Sequence, residues 1–184
     1  MDAVTKADVV GIFKLLATLF PQSARAFENA DALTRDAWYE LIKDIPKQLV
    51  VEAIKSYAAS HVWAPSIAEI RAEALKAVNP ELSIGPDEAW GLVVQAIRKY
   101  GYTRPQEALA SLPEPVARCA QRFGWRELCL SEEPDVVRGQ FRRAYETQLA
   151  REKADALIPA QVRQNLARLA AGMDKVLSLG EGAG

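Results

Sequence analysis

Apolar residues recur at helical spacing along almost the whole chain. Val9, Ile12, Phe13, Leu16, Leu19 and Phe20 form the first stripe, closed by Pro21, and Thr5 with Asp8 makes a T-x-x-D start where the N-terminal cap belongs. A second short helix is predicted from Thr34 to about Lys43, with Trp38, Leu41 and Ile42 facing inward. Asp44 and Pro46 open a third, in which Leu49, Val50, Ala53, Ile54 and Tyr57 share one face. Val62-Trp63-Ala64-Pro65 then forms an aromatic-proline hinge; Pro65 lacks an N–H and restricts Ala64, so no helix runs through it. Ser66-Ile67-Ala68-Glu69 is a capping box. The Ser66 hydroxyl can accept from the Glu69 N–H while the Glu69 carboxylate accepts from the Ser66 N–H, which starts a fourth helix reaching about Val78.

The segment from Asn79 to Pro86 has two prolines, a glycine and polar residues, the composition of a linker. The expected organisation is a first domain over 1–79, a linker at 80–85, a second domain over 86–178 and a frayed tail at 179–184. The second domain opens with a helix from Pro86 to Tyr100, in which Trp90, Val93, Val94 and Ile97 form the buried stripe, and Gly101 occupies the C-terminal cap position. Shorter helices follow from about Pro105 to Ser111 and from Glu114 to Phe123, the latter ended by Gly124. Ser131 introduces a long helix to about Ala154 with Val137, Phe141, Tyr145 and Leu149 on its face, and Pro159 starts a last one with Val162, Leu166 and Leu169. No segment alternates with the period of a strand. The fold class is all-α: two small helical domains, the first an orthogonal four-helix bundle with Trp38, Leu41, Ile54, Tyr57 and Ile70 in its core, the second built on one long helix.

Composition removes several functions. A chain of 184 residues with 49% hydrophobic content can build such cores, and a formal charge of −1 offers no general attraction to nucleic acid or to an anionic membrane. No apolar run approaches the roughly 18 residues of a membrane span, and Asp2 beside a capped helix is unlike a signal peptide. Cys119 and Cys129 are too few for a disulfide scaffold, which points to reduced thiols in the cytoplasm of a bacterium or of an infected one. There is no G-x-x-x-x-G-K-[ST] phosphate loop, and two cysteines with the single histidine, His61, cannot complete a metal site. Neither catalytic residues, cofactor nor metal is expected. The reading is a binding protein.

Its candidate contact residues are Trp63, Arg118, Arg122, Trp125, Arg138 and Arg142. Trp63 has two readings: packing over the bundle to fix the fourth helix, which is favoured, or anchoring a partner from a rigid turn. Arg118 with Arg122, and Arg138 with Arg142, lie one helical turn apart and could meet carboxylates or phosphates; the acids among them make a mixed solvated surface the plainer role. Trp125-Arg126-Glu127-Leu128 is either a core plug or a docking edge. Residues 80–184 carry eleven Arg to three Lys, against three Arg to six Lys before them, and an abundance of aromatics. Both place the principal partner contact in the second half.

The order of Thr5-Lys6, Phe20-Pro21, Trp38-Tyr39-Glu40-Leu41, Asp44-x-Pro46, Ala53-x-x-x-Tyr57 and Pro65-Ser66-Ile67-Ala68-Glu69-Ile70 resembles the N-terminal domain of phage replicative-helicase loader/inhibitor proteins, over about residues 4–72. The second half looks like the segment that often follows this module in phage and prophage proteins. The resemblance implies a non-catalytic accessory protein that binds a hexameric replicative DNA helicase, restrains it and helps deliver it to an origin, with an origin-binding initiator as a further partner and little or no direct binding to nucleic acid. It also implies a helicase contact in the C-terminal portion, which in the family can be poorly ordered and which here is long and patterned enough to fold. Two other classes stay open. One is a DNA-binding accessory protein using a helix-turn-helix-like pair at 34–57, and the other is a structural adaptor of a phage or prophage.

Overall fold

The computed structural model describes residues 2–181, and side chains as far as Met173. Eleven α-helices account for the described chain. The first five are α1 (Lys6–Leu19), α2 (Ala24–Glu28), α3 (Ala32–Ile42), α4 (Lys47–Ala58) and α5 (Ile67–Val78). They are followed by α6 (Pro86–Tyr100), α7 (Pro105–Ala110), α8 (Glu114–Phe123) and α9 (Trp125–Leu130). The last two, α10 (Pro134–Leu157) and α11 (Ala160–Glu181), are the longest. Among the described residues there is no strand, only an isolated bridge between Ala3 and Pro46, so the all-α expectation stands.

The chain forms two compact units, and they are not consecutive in sequence. One holds the residues up to Ala77 together with those from Ala156 onward; the other is Val78–Asp155. The expected second domain ran on to residue 178, so the finding moves the end of α10 and all of α11 to the first unit. The expected linker at 80–85 is a 3-10 turn, Pro80–Ser83, and Leu82 and Ile84 pack on the core of the second unit. Of the expected frayed tail, 179–181 continue α11 and 182–184 lie outside the described residues.

In the first unit α1 starts with a complete capping box. The Thr5 N–H donates to Asp8 Oδ2 at 2.9 Å and the Asp8 N–H to Thr5 Oγ1 at 3.3 Å. Lys47 adds an ion pair to Asp8 at 2.6 Å. The Lys47 hydrogen bond, then those from Thr5, hold the Asp8 carboxyl down to about 2. Val9, Ile12, Phe13 and Leu16 pack against Ile42, Val50, Ile54 and Ile70, side chains whose complete burial is worth about 1.5–3 kcal/mol each. Helix α2 has no counterpart among the expected elements. At five residues it is too short to show a period, yet its Phe27 meets Phe13 at 5.4 Å and Trp38 at 6.0 Å, both edge-on. Phe13 and Trp38 close the triangle at 5.1 Å. Of the five residues expected in this core, Ile54, Tyr57 and Ile70 are buried, whereas Trp38 and Leu41 are half-buried. Helix α3 lies at the rim, so Ile42 is its only fully buried side chain.

One buried cation organises the rest of this unit. The Arg71 side chain is 8% exposed and donates from Nη1 and Nη2 to the two Asp44 carboxylate oxygens at 2.7 and 3.0 Å. It also donates to the carbonyl of Leu41 at 2.8 Å and, from Nε, to that of Leu157 at 2.7 Å. Asp44 Oδ2 in turn accepts from the Ala160 N–H at 3.3 Å. The corner between α10 and α11 is thereby tied to α3 and α5. Burial by itself would raise the Asp44 pKa; the hydrogen bonds and charge of Arg71, with the Ala160 N–H, outweigh it and hold the carboxyl below its usual 3.8.

The second unit packs Ala89, Val93 and Ala96 of α6 against Val116 and Ala120 of α8 and against Val137, Phe141 and Tyr145 of α10. Two glycines set its corners. Gly101 (φ 63°) ends α6, and Gly124 (φ 100°) ends α8 and begins α9, both in a region where a side chain is strained. The Tyr145 hydroxyl donates to the Ile84 carbonyl at 3.2 Å, and buried Gln148 donates to the Pro115 carbonyl at 3.0 Å and to Glu152 at 2.9 Å. These bonds satisfy the Tyr145 hydroxyl and the Gln148 amide that α10 brings into the core.

Candidate functional site

The turn that carries Trp63 is fixed from both sides. At its start, His61 stacks on Tyr57 at 3.8 Å, and His61 Nδ1 lies 3.0 Å from the Tyr57 carbonyl at the end of α4. At its end, the Ser66 N–H donates to Glu69 Oε2 at 2.7 Å and the Glu69 N–H to Ser66 Oγ at 3.3 Å, the capping box read from the sequence. The Tyr57 hydroxyl spans the turn and donates to Glu69 Oε1 at 2.8 Å. Hydrogen bonds from Ser66, then from Tyr57, hold Glu69 below its usual 4.5, so this brace is ionised at neutral pH. Pro65 is buried and Ala64 packs on the core, yet Val62 and Trp63 are each 66% exposed. The favoured expectation that Trp63 packs over the bundle is therefore corrected. Pro65 and Ala64 do that packing, and their direction turns the two preceding side chains outward.

The second unit treats its candidate residues differently. Trp125 is buried and its indole N–H donates to the Gly101 carbonyl at 3.0 Å; of its two readings the structure gives the core plug. Arg118 pairs with Glu114 at 3.3 Å and with Glu152 at 3.0 Å. Arg138 and Arg142 share Asp87 at 3.4 and 2.9 Å. Three of the four expected arginines are thus neutralised within their own unit. Arg122 has no such pair among the described residues, and with Arg143, Arg151, Glu152 and Asp155 it lines a groove of about 640 Å³ between α8 and α10. Arg151 was missed; its eight-residue spacing from Arg143, two turns of one face, was the available signal. Most of the aromatics that pointed to this half as the contact serve its core. Phe141 and Tyr145 are buried, and Trp90, Tyr100 and Phe123 pack against them, leaving Tyr102 exposed.

The helix-turn-helix alternative loses its cations. Lys47 is engaged by Asp8 and Lys55 by Glu52 at 2.8 Å, and the intervening turn is occupied by the Asp44–Arg71 pair. Among the described residues no helix is long and apolar enough to cross a membrane.

Residues 4–71 match the family model of the phage helicase loader/inhibitor N-terminal domain. Nothing among the curated proteins or the solved structures matches the chain. The matched segment runs from Val4, the first core residue, to Arg71, and contains α1 to α4 with the first turn of α5.

Proposed function

We propose that this protein is a non-catalytic replication accessory factor of phage or prophage origin that binds a hexameric replicative DNA helicase, restrains it and helps to load it, with Val62 and Trp63 as an anchor of that contact. The similarity of residues 4–71 to that family model supports the helicase reading. The exposed Trp63 on a braced turn carries the choice of surface, since a rigid aromatic loses little entropy on binding and Trp dominates interface hot spots. An origin-binding initiator is the second partner of this reading. The mechanism is linkage. A loader that binds one state of the helicase about 3 kcal/mol more tightly than another shifts that equilibrium roughly 150-fold with no chemistry of its own.

The test is binding of the purified full chain to the replicative helicase of its own genome, followed by the helicase's ATPase rate. The expected result is capture and a lowered rate, with Trp63→Ala weakening binding by about 2 kcal/mol or more. Absence of capture would overturn the function. Capture unchanged by Trp63→Ala would move the contact to the groove of Arg122, Arg143 and Arg151.

A further inference from the structure

Between Ala89 and Gln106 the chain has no acid, and that stretch ends in Arg98-Lys99-Tyr100-Gly101-Tyr102-Thr103-Arg104, three cations set around two tyrosines. Arg98 and Lys99 in the last turn of α6 are ordinary in one respect, because they complement the negative end of the helix dipole. The rest of the pattern has no such use. Arg104 lies beyond the helix and folds back over the turn. Its Nη2 donates to the Lys99 carbonyl at 2.9 Å, and its guanidinium sits 5.3 Å from the centre of the Tyr100 ring. Lys99 Nζ lies 5.1 Å from the same ring, and Tyr100 packs on the core of the second unit, so both cations are held against a fixed support.

The turn itself is braced. Gly101 (φ 63°) leads the chain out of α6, and its carbonyl accepts from the indole N–H of buried Trp125 at 3.0 Å. Tyr102 follows and is 57% exposed. Arg98 and Lys99 have no ion pair among the described residues, and Arg104 has only Glu107, at 3.5 Å. The result is a small positive surface carrying an open aromatic ring. Cations alone would suit any anion; the ring chooses between them. Its face is electron-rich and repels a carboxylate, whereas an unpaired base stacks on it while the adjoining phosphates meet the cations. Only single-stranded nucleic acid offers open base faces and phosphates together. The formal charge of −1 belongs to the whole chain and does not prevent attraction at one patch, since exposed charges farther away than about 10 Å are screened in ordinary salt. We propose that this turn of the second unit is a binding site for single-stranded nucleic acid, with a base on Tyr102 and phosphates on Arg98, Lys99 and Arg104. The inference is independent of the helicase reading, and it departs from the absence of direct binding that the family resemblance implies.

Fluorescence anisotropy of a labelled oligothymidylate, titrated with the full chain across a salt series, tests it. The expected result is saturable binding at low salt, with log K falling against log salt at a slope of about −2, since each of three cations contributes about −0.7. Tyr102→Ala should weaken binding about five-fold or more, and Arg98→Glu/Lys99→Glu about ten-fold or more. Both variants should melt as the wild type does, because all three side chains are exposed. Duplex DNA should not respond to Tyr102→Ala, its bases being closed to stacking. An oligouridylate titrated in parallel carries the same chemistry, and the tighter of the two strands tells RNA from DNA. Absence of binding at low salt, or binding that both variants leave unchanged, overturns the proposal. An equal loss on duplex DNA overturns the contact between Tyr102 and a base. A labelled polyglutamate that binds in place of the oligonucleotide, and is lost with Arg98→Glu/Lys99→Glu, would give the patch to an acidic protein segment and equally overturn it.

Discussion

Replacing Arg71 by Met keeps most of the aliphatic volume of the stem and removes the guanidinium, with all four of its hydrogen bonds to Asp44, Leu41 and Leu157. Breaking a buried ion pair by removing one partner costs about 3–5 kcal/mol when the other charge is stranded. Here the Asp44 side chain is 27% exposed and can recover water, so the expected loss is smaller, about 2–3 kcal/mol. For a chain of this size that is a fall of roughly 4–12 °C in the melting of the first unit. Thermal melting by circular dichroism reads the loss, and hydrogen exchange locates it: the Ala160 amide, which donates to Asp44, should exchange faster in the variant. The pH dependence has a definite sign. Asp44 has a depressed folded pKa, so its contribution is complete above about pH 4 and is lost as pH falls through the folded value. The gap between wild type and Arg71→Met should therefore narrow in acid. Equal melting at pH 7, or an unchanged Ala160 exchange rate, would refute the assignment of Arg71 as the tie between this corner and the helices around it.

Three further outcomes follow from the same structure. Trp63→Ala should leave stability within about 0.5 kcal/mol of wild type, since the side chain is mostly in water; a large loss of melting temperature would show that it packs after all. Trp125→Ala should cost about 3–5 kcal/mol, from the vacated core and the orphaned Gly101 carbonyl, measurable as a lowered urea midpoint. Burial pushes the Cys119 thiol up to about 11, so at pH 8 an alkylating reagent should modify Cys129 first and reach Cys119 only as the protein unfolds; equal rates in the native state would contradict that burial.

Features that depend on a few neighbouring residues were legible in the sequence. The boxes at Thr5–Asp8 and Ser66–Glu69, the helix-ending Gly101 and Gly124, and the stripes of α4 and α10 are local devices, and each formed where its chemistry required; the expected α6 stripe of Trp90, Val93, Val94 and Ile97 is corrected, since Ala89, Val93 and Ala96 are its buried face. Features that depend on which surfaces meet were not. The Asp44–Arg71 pair joins residues 27 apart in sequence, and periodicity carries no information about such a pairing. Leu166 and Leu169 show why an amphipathic pattern is incomplete evidence for a core: it names the face of a helix without naming what covers it. Trp63 failed in the opposite direction. An aromatic beside a proline was assigned to packing, but the burial of Pro65 decided the direction of the turn. Among the arginines, spacing along α8 and α10 found the side chains, and only the fold could assign Glu152 and Asp87 to three of them.

The discontinuity of the first unit has a consequence for the order in which the protein is made. A ribosome emits residues up to Ala77 before those from Ala156 onward, so Arg71 acquires its Leu157 acceptor only after 86 further residues have been added. At bacterial elongation speeds that is an interval of roughly 4–17 s, far longer than a small helical unit needs to collapse. During this time Arg71 and Asp44 can already pair, while the place of the returning corner is filled by water. The whole of the second unit is synthesised within that interval. The nascent module therefore emerges as a folded body with one open seat, and the chain closes it from its far end.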